Sequence, residues 1–149
     1  MEYSLGQDQQ GRLRHITRVT DANGNSKITY KDSRELITTL KEFVKDKDGA
    51  QQTLWTFYDY DQLKQITKVT DAKGNLTEAG YDLLGRRTVL SNKDTGKTEM
   101  VYDNAGNLIK KITANLREQS KAINYAYYFN RLTNISYPNY PGNNVTYIW

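Results

Sequence analysis

The chain has 149 residues, only 37% of them hydrophobic, and 21 basic against 17 acidic side chains leave a net charge of +4. With a mean hydropathy of -0.82, one deep core would be thinly supplied, and a shallow, extended all-β architecture fits better. The lack of cysteine excludes a disulfide framework and thiolate chemistry, no window approaches the ~18 apolar residues of a membrane helix, and the charges are spread without the basic block of a nucleic-acid arm.

The start "MEYSLGQDQQ" has neither the basic residues nor the apolar stretch of a signal peptide. "LRHITRVTDANGN", from Leu13, follows it and returns as "LKQITKVTDAKGN", from Leu63. Nine of thirteen positions are identical and two more exchange Arg for Lys. A match at a fixed offset marks a repeat. Weaker copies fill the intervals: "YKDSREL", "YDLLGRR", "YDNAGNL" and "YYFNRL". Taking Leu13, Leu36, Leu63, Arg87, Leu108 and Leu132 as equivalent points, the spacings are 23, 27, 24, 21 and 24. Residues 1–149 therefore read as a tandem array of about six units of 21–27 residues.

Each unit opens with Tyr-Asp, reaches Gly and a basic or polar residue a few positions on, and continues through a Leu/Ile/Val/Thr-rich stretch. A turn follows. "DANG" (Asp21 to Gly24), "DKDG" (Asp46 to Gly49) and "DAKG" (Asp71 to Gly74) place Asp first and Gly fourth. The carboxylate can bond the backbone two residues on, and Gly tolerates the positive φ of a bulged hairpin turn. Asp94 and Gly96 are assigned the same role. Tyr30, Tyr58, Tyr81 and Tyr102 are assigned as strand-end aromatics. Each unit is predicted to be one antiparallel β-hairpin.

Residues 32–49 carry two signals. Leu36, Leu40, Phe43 and Val44 fall at helical spacing, with Ser33 as N-cap and Gly49 as stop. The repeat register instead aligns residues 34–45 with strands, and it is given precedence. Further on, the lack of a turn Gly in "NLRE" (Asn115 to Glu118) points to an altered loop. The spacings Leu13 to Ile16, Leu63 to Ile66 and Leu132 to Ile135 break period two, implying either two partly covered faces or a bulge. In "LWTF", Trp55 and Phe57 share a face; in "INYAYYF", Ile123, Tyr125, Tyr127 and Phe129 do.

"YDLLGRR" and "YDNAGNL", with the "DANGN" and "DAKGN" turns and the "ISYPNYPGNNVTY" ending, resemble the YD repeats of the Rhs family, bacterial polypeptides related to the C components of Tc toxins and to the YD shells of teneurins. The resemblance runs from Asp8 to Trp149. Arg34 departs from it, standing where Gly is expected, and the third and sixth openings are one residue short. The resemblance implies a β-sheet strip that spirals into a hollow shell around a toxic C-terminal segment, in a bacterial polypeptide that is secreted or surface-associated. Its partners would be further YD repeats and the enclosed toxin, without nucleic acid or membrane insertion. No cofactor or metal is implied. Six units cannot close a container, so the chain is expected to be a piece of such a wall, open to self-association through its strand edges.

Catalysis has little to stand on. The single histidine, His15, corresponds to Gln65 in the matching copy, and the pairs Asp59/Asp61 and Asp46/Asp48 fall where hairpin chemistry explains them. Asp21, Asn23, Asn25 and Asp32 have calcium-loop spacing, but Ser26 occupies the Gly position and Lys73 replaces Asn23 in the second copy. The competing function is a surface carbohydrate-binding or adhesin module using Tyr125, Tyr127, Tyr137, Tyr140, Tyr147 and Trp149.

Overall fold

Thr, Val, Ile and Tyr dominate the segments between the Asp-led turns, and these segments are strands. The computed structural model describes residues 1–45 and 47–149; the aspartate pair Asp46/Asp48 and the "DKDG" turn therefore lie partly outside the described residues. Two compact units divide the chain, Met1–Thr77 and Glu78–Trp149. Strand order follows chain order, and the paired strands are antiparallel neighbours. The first unit contains β1 (Glu2–Gln7), β2 (Leu13–Thr20), β3 (Ser26–Lys31), β4 (Ile37–Lys45), β5 (Gln51–Tyr60) and β6 (Ile66–Thr70). β7 (Leu76–Tyr81) runs across the junction. The second unit continues with β8 (Arg87–Asn92), β9 (Gly96–Tyr102), β10 (Leu108–Ile112), β11 (Ile123–Tyr128), β12 (Arg131–Ser136) and β13 (Val145–Thr146). Its connections include a one-turn helix, α1 (Ala114–Glu118), and a 3-10 turn, Pro141–Asn143.

Residues 37–45 are strand, so register prevails over helical periodicity, but residues 34–36 belong to the Asp32 turn that precedes it rather than to the strand. The reason is visible in β4, where nearly every residue is half-buried and the inside-outside alternation that marks a strand is blurred. Ser33 is a turn residue, not an N-cap: the residue it precedes, Arg34, donates its amide to Asp32 Oδ1 at 2.9 Å. One face carries an aromatic strip in which Tyr30 and Trp55 lie 6.1 Å apart, Trp55 and Phe57 stack at 6.4 Å, and Lys41 Nζ stands 4.8 Å from the Phe43 and Trp55 rings. No deep core forms among the described residues: the buried apolar residues are Ile28 and Tyr30 in the first unit and Leu116 and Ala122 in the second, and Asp8 and Thr39 are the buried polar residues.

Two kinds of hairpin occur. β1–β2 and β2–β3 keep one register throughout. β3–β4, β5–β6, β9–β10 and β11–β12 each slip by one residue, leaving Thr38, Thr67, Ile109 and Thr133 as the extra residue of a bulge. Two of these threonines bond back across the break, Thr38 Oγ1 to Tyr30 O at 3.4 Å and Thr133 Oγ1 to Ala126 O at 3.0 Å. A bulge thus explains the Leu132 to Ile135 spacing. It does not explain Leu13 to Ile16, whose pairing is continuous, and Leu63 lies in a turn before its strand.

The face shared by Ile123, Tyr125 and Tyr127 is half-buried as its alternation requires, but Phe129 does not join it. Phe129 and Asn130 have φ of 44° and 62° and form the two-residue tip between Tyr128 and Arg131. That is the primed hairpin geometry, which matches strand twist. "NLRE" folds as α1, with Leu116 inward and Arg117 paired to Glu99 at 3.0 Å.

Candidate functional site: the aspartate turns and their neighbours

One turn recurs through both units. At Asp8, Asp21, Asp32, Asp61, Asp71, Asp82 and Asp103, the residue three places on donates its amide to the Asp carbonyl, and the Asp amide donates to the carbonyl four places on, all at 2.9 to 3.3 Å. This is a type I turn closed by a residue at positive φ. Glycine fills that position at Gly11, Gly24, Gly74, Gly85 and Gly106, with φ of 75° to 90°. Glu35 and Lys64 fill it elsewhere, at 64° and 66°.

The carboxylates divide their oxygens consistently. Asp21 Oδ1 accepts the amides of Asn23 and Asn25, while Oδ2 accepts Asn25 Nδ2 at 3.0 Å. Asp71 repeats all three bonds with Lys73 and Asn75. Asp8 and Asp82 use Arg12 and Arg86 for the side-chain bond, at 2.9 and 2.7 Å, and Asp103 uses Asn107. At Asp32 the fourth residue is Leu36, and Arg34 supplies the bond from two places on. This accounts for the basic or polar residue after each turn Gly. It also accounts for the calcium-like spacing at Asp21, whose oxygens are held by their own loop. Among the described residues no cluster of three potential metal ligands occurs.

These bonds set the electrostatics. Asn25, first through its side-chain amide and then its backbone amide, holds the Asp21 carboxyl below its ordinary value, and Asn75 does the same for Asp71. At Asp8, burial pushes the carboxyl up, but the Arg12 amide, the Arg14 and Arg12 guanidiniums and the Gln10 amide together hold it down.

Neighbouring turns are laced side by side. Arg34 Nη1 donates to Asp61 O at 3.0 Å, Arg86 Nη1 to Asp103 O at 2.9 Å, and Asn107 Nδ2 to Asn130 Oδ1 at 2.9 Å. Strand-end aromatics add a second tie to the start of the preceding strand: Tyr60 to Ile37 O, Tyr102 to Arg87 O, Tyr127 to Leu108 O and Trp149 Nε1 to Leu132 O, at 2.9 to 3.1 Å.

The residues singled out from sequence distribute as follows. Tyr30 is buried in the aromatic strip, Tyr81 ends β7, and Tyr102 ends β9. Tyr58 lies within β5; the residue tied like Tyr102 is Tyr60, and the Asp that forms the turn is Asp61, not Asp59, which faces Lys68 across the strands. Asp94 sits in the β8–β9 turn, where Asn92 Oδ1 accepts the amides of Asp94 and Thr95. Gly96 pairs with Asn92 at φ 67°, and a Cβ added there would lie 2.7 Å from Ala114 Cβ. His15 is an exposed β2 residue between Leu5 and Lys31. The carbohydrate candidates do not form one platform. Tyr125 and Tyr127 lie on the half-buried face, Tyr147 stacks on Trp149 at 6.4 Å, and Tyr137 and Tyr140 line a separate cleft. The sequence signal that could have found Tyr60 is its position directly before the turn Asp, which "YDYD" duplicates.

No protein-family model matches the sequence, and no curated protein matches it. Solved structures do. The chain is similar to TcdB2-TccC3 with a TM-score of 0.65 and 15% identity, over 99% of this chain and 9% of that one. TcdB2-TccC3 without its hypervariable C-terminal region gives 0.63 and 14%, over 99% and 9%. A Tc holotoxin pore of Photorhabdus luminescens carrying a mutated TccC3 gives 0.62 and 16%, over 97% and 8%. The chain thus spans less than a tenth of the length of the structures it matches. The likeness shows that the chain shares the fold of these structures over nearly its whole length.

Proposed function

We propose that the chain is a wall section of a larger Rhs-type polypeptide, that its six repeat units form one array, and that the wall encloses a C-terminal toxic segment without catalysis of its own. The observation that carries the reading is the spread of one turn over both units, with side chains such as Arg34 and Arg86 spent on the neighbouring turn. Side chains committed in this way serve cohesion. The likeness in fold to TcdB2-TccC3 chains over nearly the whole length supports the same reading.

Limited proteolysis of the whole polypeptide that carries this chain, read by mass spectrometry, tests it. A segment following the array should resist cleavage, and replacing Asp21, Asp71 and Asp103 by Ala together should expose it. A following segment cut as fast in the unaltered polypeptide as in the variant would refute enclosure.

A further inference from the structure

The two longest connections of the second unit, one carrying α1 and the other the 137–144 loop, meet at a cleft of about 370 Å³. The unit's other hairpins are closed by five residues or fewer. Here two long, irregular connections flank one site, and departures from a consistent local grammar concentrate where a chain does something besides fold.

The lining is uncharged. It combines the carboxamides of Asn115, Gln119 and Asn139 with the rings of Tyr137 and Tyr140, over an apolar floor that includes Leu116. Carboxamides offer donor and acceptor on one planar group, which suits paired hydroxyls, and tyrosine rings offer an apolar surface with a polar tip. The volume falls within the ~300–1,000 Å³ of small-molecule sites.

The walls are fixed in advance. Arg117 pins α1 to β9 through Glu99 and the Lys97 carbonyl, at 3.0 and 3.3 Å. In the loop, Asn144 Oδ1 accepts the Tyr137 amide at 2.7 Å, and the Asn143 amide donates to Tyr140 O at 2.9 Å. Lys121 Nζ joins the two sides by donating to Asn139 Oδ1 at 2.7 Å. A prearranged site loses less ordering entropy on binding.

The geometry points to a binding site for a neutral saccharide, one or two pyranose rings with an apolar ring face set against Tyr140 and hydroxyls toward Asn115 and Gln119. An anion finds no free cationic lining, and a purely apolar ligand would strand three carboxamides. The inference is independent of the wall reading, since a wall can carry such a site or lack it.

Saturation-transfer NMR of the full 149-residue chain with maltose, cellobiose, lactose and N,N′-diacetylchitobiose, each titrated separately, tests it. At least one should bind saturably. Tyr140→Ala and Gln119→Ala, both at exposed positions, should each weaken that binding by about tenfold or more, whereas Trp149→Ala should leave it within about twofold. Gln119→Ala carries the test even if Tyr140→Ala perturbs the loop. Absence of binding for all four sugars, binding that survives both cleft substitutions, or loss through Trp149→Ala alone would overturn the assignment.

Discussion

Arg86 grips two successive turns at once: its Nε lies 2.7 Å from Asp82 Oδ2, in its own turn, and its Nη1 donates to the Asp103 carbonyl at 2.9 Å in the next. Its guanidinium also stands 4.9 Å from the Tyr102 ring. Arg86→Lys keeps the charge but cannot span both partners. It should lower stability by about 1–2 kcal/mol through loss of the carbonyl bond and the ring contact. Urea unfolding measures this.

Tyr60 and Tyr58 separate the aromatic tie from mere aromatic content. Tyr60 Oη donates to Ile37 O at 2.9 Å, so Tyr60→Phe removes one hydrogen bond and should cost about 0.5–1.5 kcal/mol. Tyr58→Phe should cost measurably less. Equal losses in thermal unfolding would show that the tie has no role of its own.

Gly74 and Lys64 hold the same turn position at φ 79° and 66°. A Cβ at Gly74 meets nothing within 4 Å, so the penalty of a side chain there is conformational. Gly74→Val should cost about 1–3 kcal/mol. Lys64→Gly should stabilise by about 0.5–1 kcal/mol, the relief of left-handed strain exceeding the added freedom of the unfolded chain. Opposite signs at the two positions, read from urea midpoints, are the expected result.

The turn carboxylates fix the response to acid. Asp8, Asp21 and Asp71 are held below the ordinary value of 3.8 in the folded chain. Their contribution is therefore complete above that value and is lost as pH falls through the depressed values. Stability should be flat from about pH 7 to 5 and decline below about pH 4. Asp8→Asn removes the buried partner of Arg12 and Arg14, at 2.9 and 3.0 Å. It should cost about 2–3 kcal/mol at neutral pH and make the acid limb shallower. Urea midpoints across the pH range check both.

Much of the fold is legible in the sequence. The doubled "TDANGN" and "TDAKGN" specify their turn completely, because the Asp, the Gly and the following Asn each make a local bond whose form depends on residue type. What stayed hidden depends on partners distant in sequence. That the Asp of "YDLLGRR" and the Asp of "DAKGN" build one and the same turn appears only when their bonds are compared. Tyr60 outranks Tyr58 because of Ile37, 23 residues away. The Phe129–Asn130 tip has no Gly to announce it, and α1 is too short for periodicity to register. The cleft lined by Tyr137, Tyr140, Asn115 and Gln119 arises from two irregular connections brought together only by the ladder between them.

One aspartate turn recurs at seven hairpins spread over both units. Scalar couplings across hydrogen bonds, measured by NMR on the labelled chain, report it directly. Couplings from the Gly24 amide to the Asp21 carbonyl and from the Gly74 amide to the Asp71 carbonyl are expected, with the same coupling from Lys64 to Asp61. Couplings at Gly24 alone, or amides of residues 71–75 bonded in a helical pattern, would contradict it.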